Sequence, residues 1–80
     1  MTYVIVSKPG AENALLKVDN KQEALQVVAN IVDGLNHVLN PLYLTIDKKE
    51  DDTIVRYDDQ TAAVIQIRED DEVDVSITNG

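Results

Sequence analysis

The sequence predicts an α+β fold, a two-layer sandwich in which one helix packs on a mainly antiparallel sheet. Between residues 20 and 39, apolar side chains recur at spacings of three and four, as in a helix that buries one face. From residue 42 onward the apolar period changes to two, and short polar stretches separate the runs, as in consecutive hairpins. At 80 residues, the chain is expected to form one domain over residues 1–80 with a thin aliphatic core.

Two short apolar runs precede the helix. Tyr3–Val6 is rich in β-branched residues and stops where a proline and a glycine favour a turn over residues 7–12. Ala14–Val18 is the second run, and it can pair with the first as a hairpin. Neither run alternates cleanly between apolar and polar residues, which is typical of strands that are buried on both faces.

The helix is predicted to begin at a capping box. Asn20 offers a side-chain acceptor at the N-cap, and Glu23 follows three residues later. Gly34 lies inside the helical pattern, where glycine costs about 1 kcal/mol relative to alanine. Asn40 and Pro41 are predicted to end the helix, because the residue before a proline avoids the α region. The apolar stripe comprises Ala24, Leu25, Val28, Ile31, Val32, Leu35, Val38 and Leu39.

Four strands are predicted after the helix, which gives the element order β-β-α-β-β-β-β. The polar connections at residues 48–52, 58–61 and 69–72 are short enough for hairpin loops. Strands joined in this way form an antiparallel meander, and one face of it is expected to pack on the helix. The four predicted strands span residues 42–47, 54–57, 62–68 and 73–78.

The meander predicts a concentration of negative charge at one end of the sheet. Alternate loops lie at the same end, about 10 Å apart, because neighbouring strands are about 4.8 Å apart. Lys48 and Lys49 are the only bases that the sequence places there. The predicted acidic cluster comprises Glu50, Asp51, Asp52, Glu69, Asp70, Asp71 and Glu72.

Three interpretations of this acidic cluster are open at the level of sequence. It can be a set of solvated loops that keep the protein soluble. It can be a docking surface for a basic partner, in the extreme a decoy that imitates the phosphates of DNA. It can also bind a divalent cation weakly, although residues 47–52 lack the alternating Asp positions and the central glycine of an EF-hand loop.

The charge balance excludes several classes of partner. Fifteen acidic and seven basic residues give a net charge of −8, which argues against binding to nucleic acid or to an anionic membrane. No run is long and apolar enough to span a bilayer, and the first residues lack the basic region of a signal peptide, so we expect a cytoplasmic protein. Without cysteine no disulfide can support the thin core, and self-association is the expected support.

The sequence contains few residues that suit catalysis, a cofactor or a metal. His37 is the single histidine, and neither a cysteine nor a second histidine can share a metal with it. Ser7 and Ser76 lack the sharp strand-to-helix turn that exposes a nucleophile. Three glycines are too few for a phosphate-binding loop. We therefore expect no enzymatic activity, no cofactor and no metal site.

The predicted function is that of a non-enzymatic interaction or regulatory module, which binds a second copy or another protein through its sheet. Tyr43 and Tyr57 lie on consecutive predicted strands and are candidate partner-binding residues, because tyrosine is enriched in interfaces. An acidic decoy acting through the acidic cluster, and a small enzyme with an unrecognised pocket, are the alternatives. The surface used would be the open sheet face or an edge strand, and the open face is predicted to carry Tyr43, Thr45, Arg56, Val64 and Gln66.

Overall fold

A computed structural model describes residues 1–69 and shows one helix packed on one face of a five-stranded antiparallel sheet. This confirms the α+β fold class, with five strands rather than six in the described residues. The predicted strand at 73–78 lies outside the described residues, as do all residues from 70 to 80. The elements are β1 (Thr2–Ser7), β2 (Ala14–Val18), α1 (Lys21–Val38), β3 (Leu44–Lys49), β4 (Asp52–Tyr57) and β5 (Gln60–Glu69).

The strand order is β2-β1-β5-β4-β3, so the longest strand, β5, lies at the centre of the sheet. β3, β4 and β5 form the predicted consecutive hairpins. On its other side β5 pairs with β1, a neighbour that the sequence analysis did not predict. Val4 of β1 lies opposite Ile67 of β5 and both are buried, so this long-range pairing removes apolar surface from water.

The two hairpins have shorter turns than predicted. The β3–β4 turn consists of residues 50–51, and the β4–β5 turn consists of residues 58–59. Asp58 and Asp59 have φ angles of 52° and 64°. Two successive left-handed residues are typical of a type I′ turn, which matches the twist of the strands it joins, and aspartate tolerates this conformation better than most residues.

β3 begins later than predicted, because a turn follows the helix. The Oδ1 atom of Asn40 accepts a hydrogen bond from the N–H of Leu42 at 3.0 Å. The carbonyl of Asn40 accepts another from the N–H of Tyr43 at 3.1 Å. Asparagine commonly closes turns in this way, so Leu42 and Tyr43 precede β3 instead of belonging to it.

The helix prediction is confirmed, including its N-cap. The Oδ1 atom of Asn20 accepts the N–H of Glu23 at 2.9 Å. The Glu23 carboxylate accepts the N–H of Asp19 at 3.1 Å, one residue before the N-cap. α1 ends at Val38, shortly before the predicted stop at Asn40.

The core lies between α1 and the central strands. Ala24 and Val28 are the buried residues of α1, and Val4, Val55 and Ile65 are fully buried in the sheet. α1 lies mainly over β1, β5 and β2, at one side of the sheet. The helix-facing surface of β3, and of the half of β4 beside it, is therefore covered less completely.

The prediction that β1 and β2 are buried on both faces is correct only for β1. Val4 and Ile5 are adjacent in β1, so they point to opposite faces, and both are buried. In β2, four of the five residues are exposed. β2 is an edge strand with a neighbour on one side only within residues 1–69, which explains its exposure.

Gly34 is a site where a single methyl group is expected to stabilise the protein. It is exposed, lies within α1, and a Cβ atom there would meet no atom within 4 Å. We expect Gly34→Ala to raise the free energy of unfolding by about 0.5–1 kcal/mol, because alanine loses less backbone entropy in a helix. Urea denaturation of the full-length chain measures this change.

Gly10 provides the matched control for this substitution. Its surroundings are equally open, but its φ angle is 74°. Gly10→Ala is therefore expected to lower the free energy of unfolding by about 1 kcal/mol. A loss of stability in Gly34→Ala as well would contradict an unstrained helical backbone at Gly34.

Candidate functional site

The outer side of β2 is an unpaired apolar edge. Only β1 borders β2 among the described residues, so alternate backbone N–H and C=O groups of β2 have no ladder partner on the other side. Leu15 and Leu16 are 51% and 48% exposed, and as neighbours in a strand they point to opposite faces. We call residues Ala14–Val18, with these two leucines, the β2 edge.

An edge strand is one of the interaction surfaces expected from the sequence, but the sequence does not identify β2 as that strand, although one signal was available. Two adjacent leucines in a strand cannot both face the same layer. The sequence predicts a single helix, so the leucine on the opposite face has no helix to pack on. What could not be inferred is that β2 is at the edge, because strand order depends on the pairing of β1 with β5.

The described part of the acidic cluster lies at one end of the sheet, as the hairpin topology predicts. The β3–β4 turn is joined to the end of β5 by a hydrogen bond from the N–H of Ile67 to the carbonyl of Asp51 at 3.1 Å. Glu50, Asp52 and Glu69 belong to the same end. The three remaining predicted members, Asp70, Asp71 and Glu72, lie outside the described residues.

Two carboxylates of this cluster are paired with cations that the sequence does not place at this end of the sheet, although it indicates Arg68 as a partner for acids. Asp51 lies 2.6 Å from the Nζ atom of Lys21, the first residue of α1. Arg68 donates two hydrogen bonds to the Asp52 carboxylate, at 2.7 and 3.2 Å. Predicting the second pair requires the register of β4 against β5. Asp52 lies opposite Gln66, so Arg68, two residues further along β5, is the diagonal neighbour of Asp52.

The lysines that the sequence placed beside the cluster are not its partners. Within residues 1–69, the side chains of Lys48 and Lys49 form no ion pair and no hydrogen bond. Glu69 instead accepts a hydrogen bond from the hydroxyl of buried Thr2 at 3.2 Å. The cluster is therefore partly neutralised by distant residues, and two exposed cations stay available nearby.

The open face of the sheet carries most of the residues predicted for it. Thr45 lies opposite Arg56 in the ladder, and Val64 and Gln66 belong to the same face of β5. Arg56 forms an ion pair with Asp47 at 3.2 Å. Arg56 and Asp47 thus neutralise each other on this face, which leaves less unsatisfied charge there for a partner.

The two candidate tyrosines are neighbours, but they are not on the open face. Their rings are 6.1 Å apart at an angle of 67°, an edge-to-face contact. Tyr57 lies opposite Leu44 and two residues after Val55. Residues two apart in a strand share a face, so Tyr57 is on the helix side of the sheet with Val55. Tyr43 precedes β3 and packs on Tyr57, so its predicted position on the open face is wrong. A partner-binding role for the pair stays a prediction.

A groove separates α1 from the β3 side of the sheet. Its volume is about 340 Å³, and its apolar residues come from the middle of α1 and from the middle of β3. Polar residues stand along it, with Lys48 on β3 and Asp33 on α1. We call it the α1–β3 groove; its lining comprises Val28, Ala29, Val32, Asp33, Asn36, Ile46, Lys48 and Thr53.

His37 lies on the exposed surface of α1 and does not line the groove itself, although it contacts Asp33, which does. Its Nδ1 atom is 2.9 Å from the carbonyl oxygen of Asp33, one turn earlier. No group of three or more histidine, aspartate or glutamate side chains within residues 1–69 is arranged to hold a metal ion.

No protein-family model, curated protein or solved structure matches the chain. In the part of the chain that the structure describes, no helix combines the length and apolar character needed to cross a bilayer. The β2 edge, the acidic cluster and the α1–β3 groove are therefore the surfaces from which a function can be inferred.

Proposed function

We propose that this protein is a non-enzymatic, cytoplasmic interaction module that self-associates by pairing the β2 edge of two copies. The observation that supports this most strongly is the pair of half-exposed leucines on a strand whose outer edge has no partner within residues 1–69. Such an edge is a template for another strand. Pairing would satisfy the free backbone groups of β2. It would also bury part of Leu15 on one face of the joined sheet and part of Leu16 on the other.

The β2 edge is suited to pairing with its own copy. Two identical antiparallel strands are related by a two-fold axis, so the central residue faces itself. If Leu15 is at the centre, Lys17 faces Asn13 of the other copy. If Leu16 is at the centre, Lys17 faces Leu15 of the other copy. Neither arrangement places like charges opposite each other.

The other free edge is less suited to self-association. β3 has three charged residues among six, namely Asp47, Lys48 and Lys49, and edge lysines disfavour strand addition. The net charge of −8 on each copy also opposes association at long range. The dimer at the β2 edge is therefore expected to tighten as salt screens this repulsion.

Sedimentation velocity over a range of concentrations tests the proposal. We expect the full-length chain to dimerise and Leu15→Lys to weaken the dimer by about tenfold or more, since a lysine on the edge would be desolvated on pairing. Leu42→Lys is the matched control, because Leu42 is exposed and remote from β2. A chain that stays monomeric up to about 1 mM, or a dimer indifferent to Leu15→Lys, would refute self-association through this edge.

The absence of cysteine from the chain allows a geometric test of the same proposal. The residue at the two-fold axis has its Cα atom about 4.5–5.5 Å from its own copy, which is within disulfide range. Either Leu15→Cys or Leu16→Cys should therefore cross-link into a dimer under mild oxidation. Leu42→Cys should not, and equal cross-linking of all three variants would show that the contact is unspecific.

The acidic decoy is the second candidate function, and the geometry supports it less well. Asp51 and Asp52 already meet Lys21 and Arg68, so a basic partner would have to displace these cations. The decoy predicts salt-sensitive binding to a basic protein. Neutralising Asp51 and Asp52 together with Asp70 and Asp71 would then weaken that binding.

A further inference from the structure

The α1–β3 groove lies beside the free edge of β3, so the two form one surface. Ile46 and Lys48 line the groove from β3, and β3 has no neighbour beyond it within residues 1–69. A strand added to this edge would place every second side chain on the helix side, next to Ile46. These side chains would enter the groove while the backbone of the added strand paired with β3.

The size of the groove restricts what can fill it. Its volume of about 340 Å³ is at the small end of the range for ligand pockets, about 300–1,000 Å³. It therefore suits a few aliphatic side chains rather than an aromatic cluster or a folded domain. Val28, Val32 and Ile46 provide the apolar contacts.

The charges that β3 leaves unpaired within residues 1–69 indicate the sign of the partner. Asp47 is paired with Arg56, and Asp33, the acidic residue of the groove lining, stands on α1 rather than on the edge. Lys48 and Lys49 are consecutive in β3, so they project to opposite faces of the edge, and neither side chain is paired among the described residues. Lysines on an edge discourage most strands. An acidic strand would instead form charge-complementary contacts, so the same lysines would select it over neutral and basic segments.

We propose that the α1–β3 groove and the edge of β3 together bind an extended acidic segment in which every second residue is apolar. The segment pairs with β3, its apolar side chains fill the groove, and its carboxylates meet Lys48 and Lys49. This surface is distinct from the β2 edge, at the opposite side of the sheet, and it does not depend on self-association.

A peptide with the sequence of residues 70–80 is a suitable probe. It begins with three acidic residues and carries apolar residues at every second position from Val73 to Ile77. The receptor is the full-length chain with Val73→Ser, Val75→Ser and Ile77→Ser, so that its own copy of this sequence cannot compete with the probe. Fluorescence polarisation of the labelled peptide measures the affinity.

We expect saturable binding with a Kd in the micromolar range, about 1–100 μM. Lys48→Glu should weaken it by about fivefold or more, because it replaces an attraction by a repulsion next to the groove. Lys8→Glu makes the same charge change in the loop after β1 and should alter the Kd by less than about twofold. A peptide of the same composition with its apolar residues adjacent should bind about tenfold more weakly.

Three results would overturn the proposal. The first is no binding up to about 1 mM peptide. The second is equal binding of a peptide with amides in place of its carboxylates, which would show an apolar groove without charge preference. The third is loss of the chain's self-association in Lys48→Glu, which would assign this surface to the dimer. Sedimentation of Leu15→Lys identifies this third case. A dimer that Lys48→Glu abolishes and Leu15→Lys leaves intact forms through the surface of β3 and not through the β2 edge.

Discussion

Ile65→Ala is expected to lower the free energy of unfolding by about 2–5 kcal/mol, the largest effect of any conservative truncation in this protein. Ile65 is fully buried in the central strand, between Val6 of β1 and Thr53 of β4. Truncation removes three carbons from a site enclosed by both neighbouring strands and by the helix layer, so little relaxation can close the cavity. Domains of this size are stable by only about 4–12 kcal/mol, so the variant loses a large part of its stability.

Ile54→Ala is the control for this prediction. Ile54 lies in β4 on the open face and is only half-buried, so the same truncation leaves a smaller void. Urea denaturation of both variants should show a loss at Ile54 below half of that at Ile65. If Ile65→Ala does not fold, Ile65→Val gives a graded substitute with an expected loss of about 0.5–1.5 kcal/mol. Equal losses at both positions would contradict a core that lies mainly on the helix side.

Ala24→Leu is expected to destabilise the protein by about 1–3 kcal/mol, although leucine is more apolar than alanine. Ala24 is fully buried on the first turns of α1, where the helix meets the sheet. A larger side chain there forces the helix away from the strands or into a strained rotamer. The loss of stability depends on close contact between α1 and the sheet at Ala24, so the substitution tests which face of α1 packs on the sheet.

Ala29→Leu provides the same substitution on the same helix in an open position. Ala29 is exposed and lines the α1–β3 groove, which has room for the added carbons. We expect a change within about 0.5 kcal/mol, or a small gain in stability. Thermal unfolding of the two variants compares them directly. A larger loss at Ala29 than at Ala24 would mean that α1 is rotated relative to the sheet.

The elements that the sequence predicts correctly are those with local signals. The helix follows from its period and from Asn20 and Glu23, and the three hairpin strands follow from their period of two. The start of β3 was missed because the Asn40 side chain closes a turn over Leu42, which periodicity does not report. The local sequence pattern therefore predicts the type of each element well and its first and last residues less well.

Strand order and the surroundings of the acidic cluster could not be predicted, because both depend on residues far apart in the chain. Nothing near Thr2 in the sequence indicates that it faces Glu69 across the ladder. The ion pair of Lys21 with Asp51 likewise requires the start of the helix to reach the β3–β4 turn. The edge position of β2 follows only once β1 is known to pair with β5.

The pairing of β1 with β5 has a consequence for how the chain is made. β1 is synthesised well before β5, so this sheet cannot be completed until residues 60–69 exist. Until then the nascent hairpin of β1 and β2 exposes Val4 and Val6 along an open edge. Such non-local topologies fold slowly and leave aggregation-prone edges exposed, so this sheet is expected to be most vulnerable to aggregation between the synthesis of β2 and that of β5.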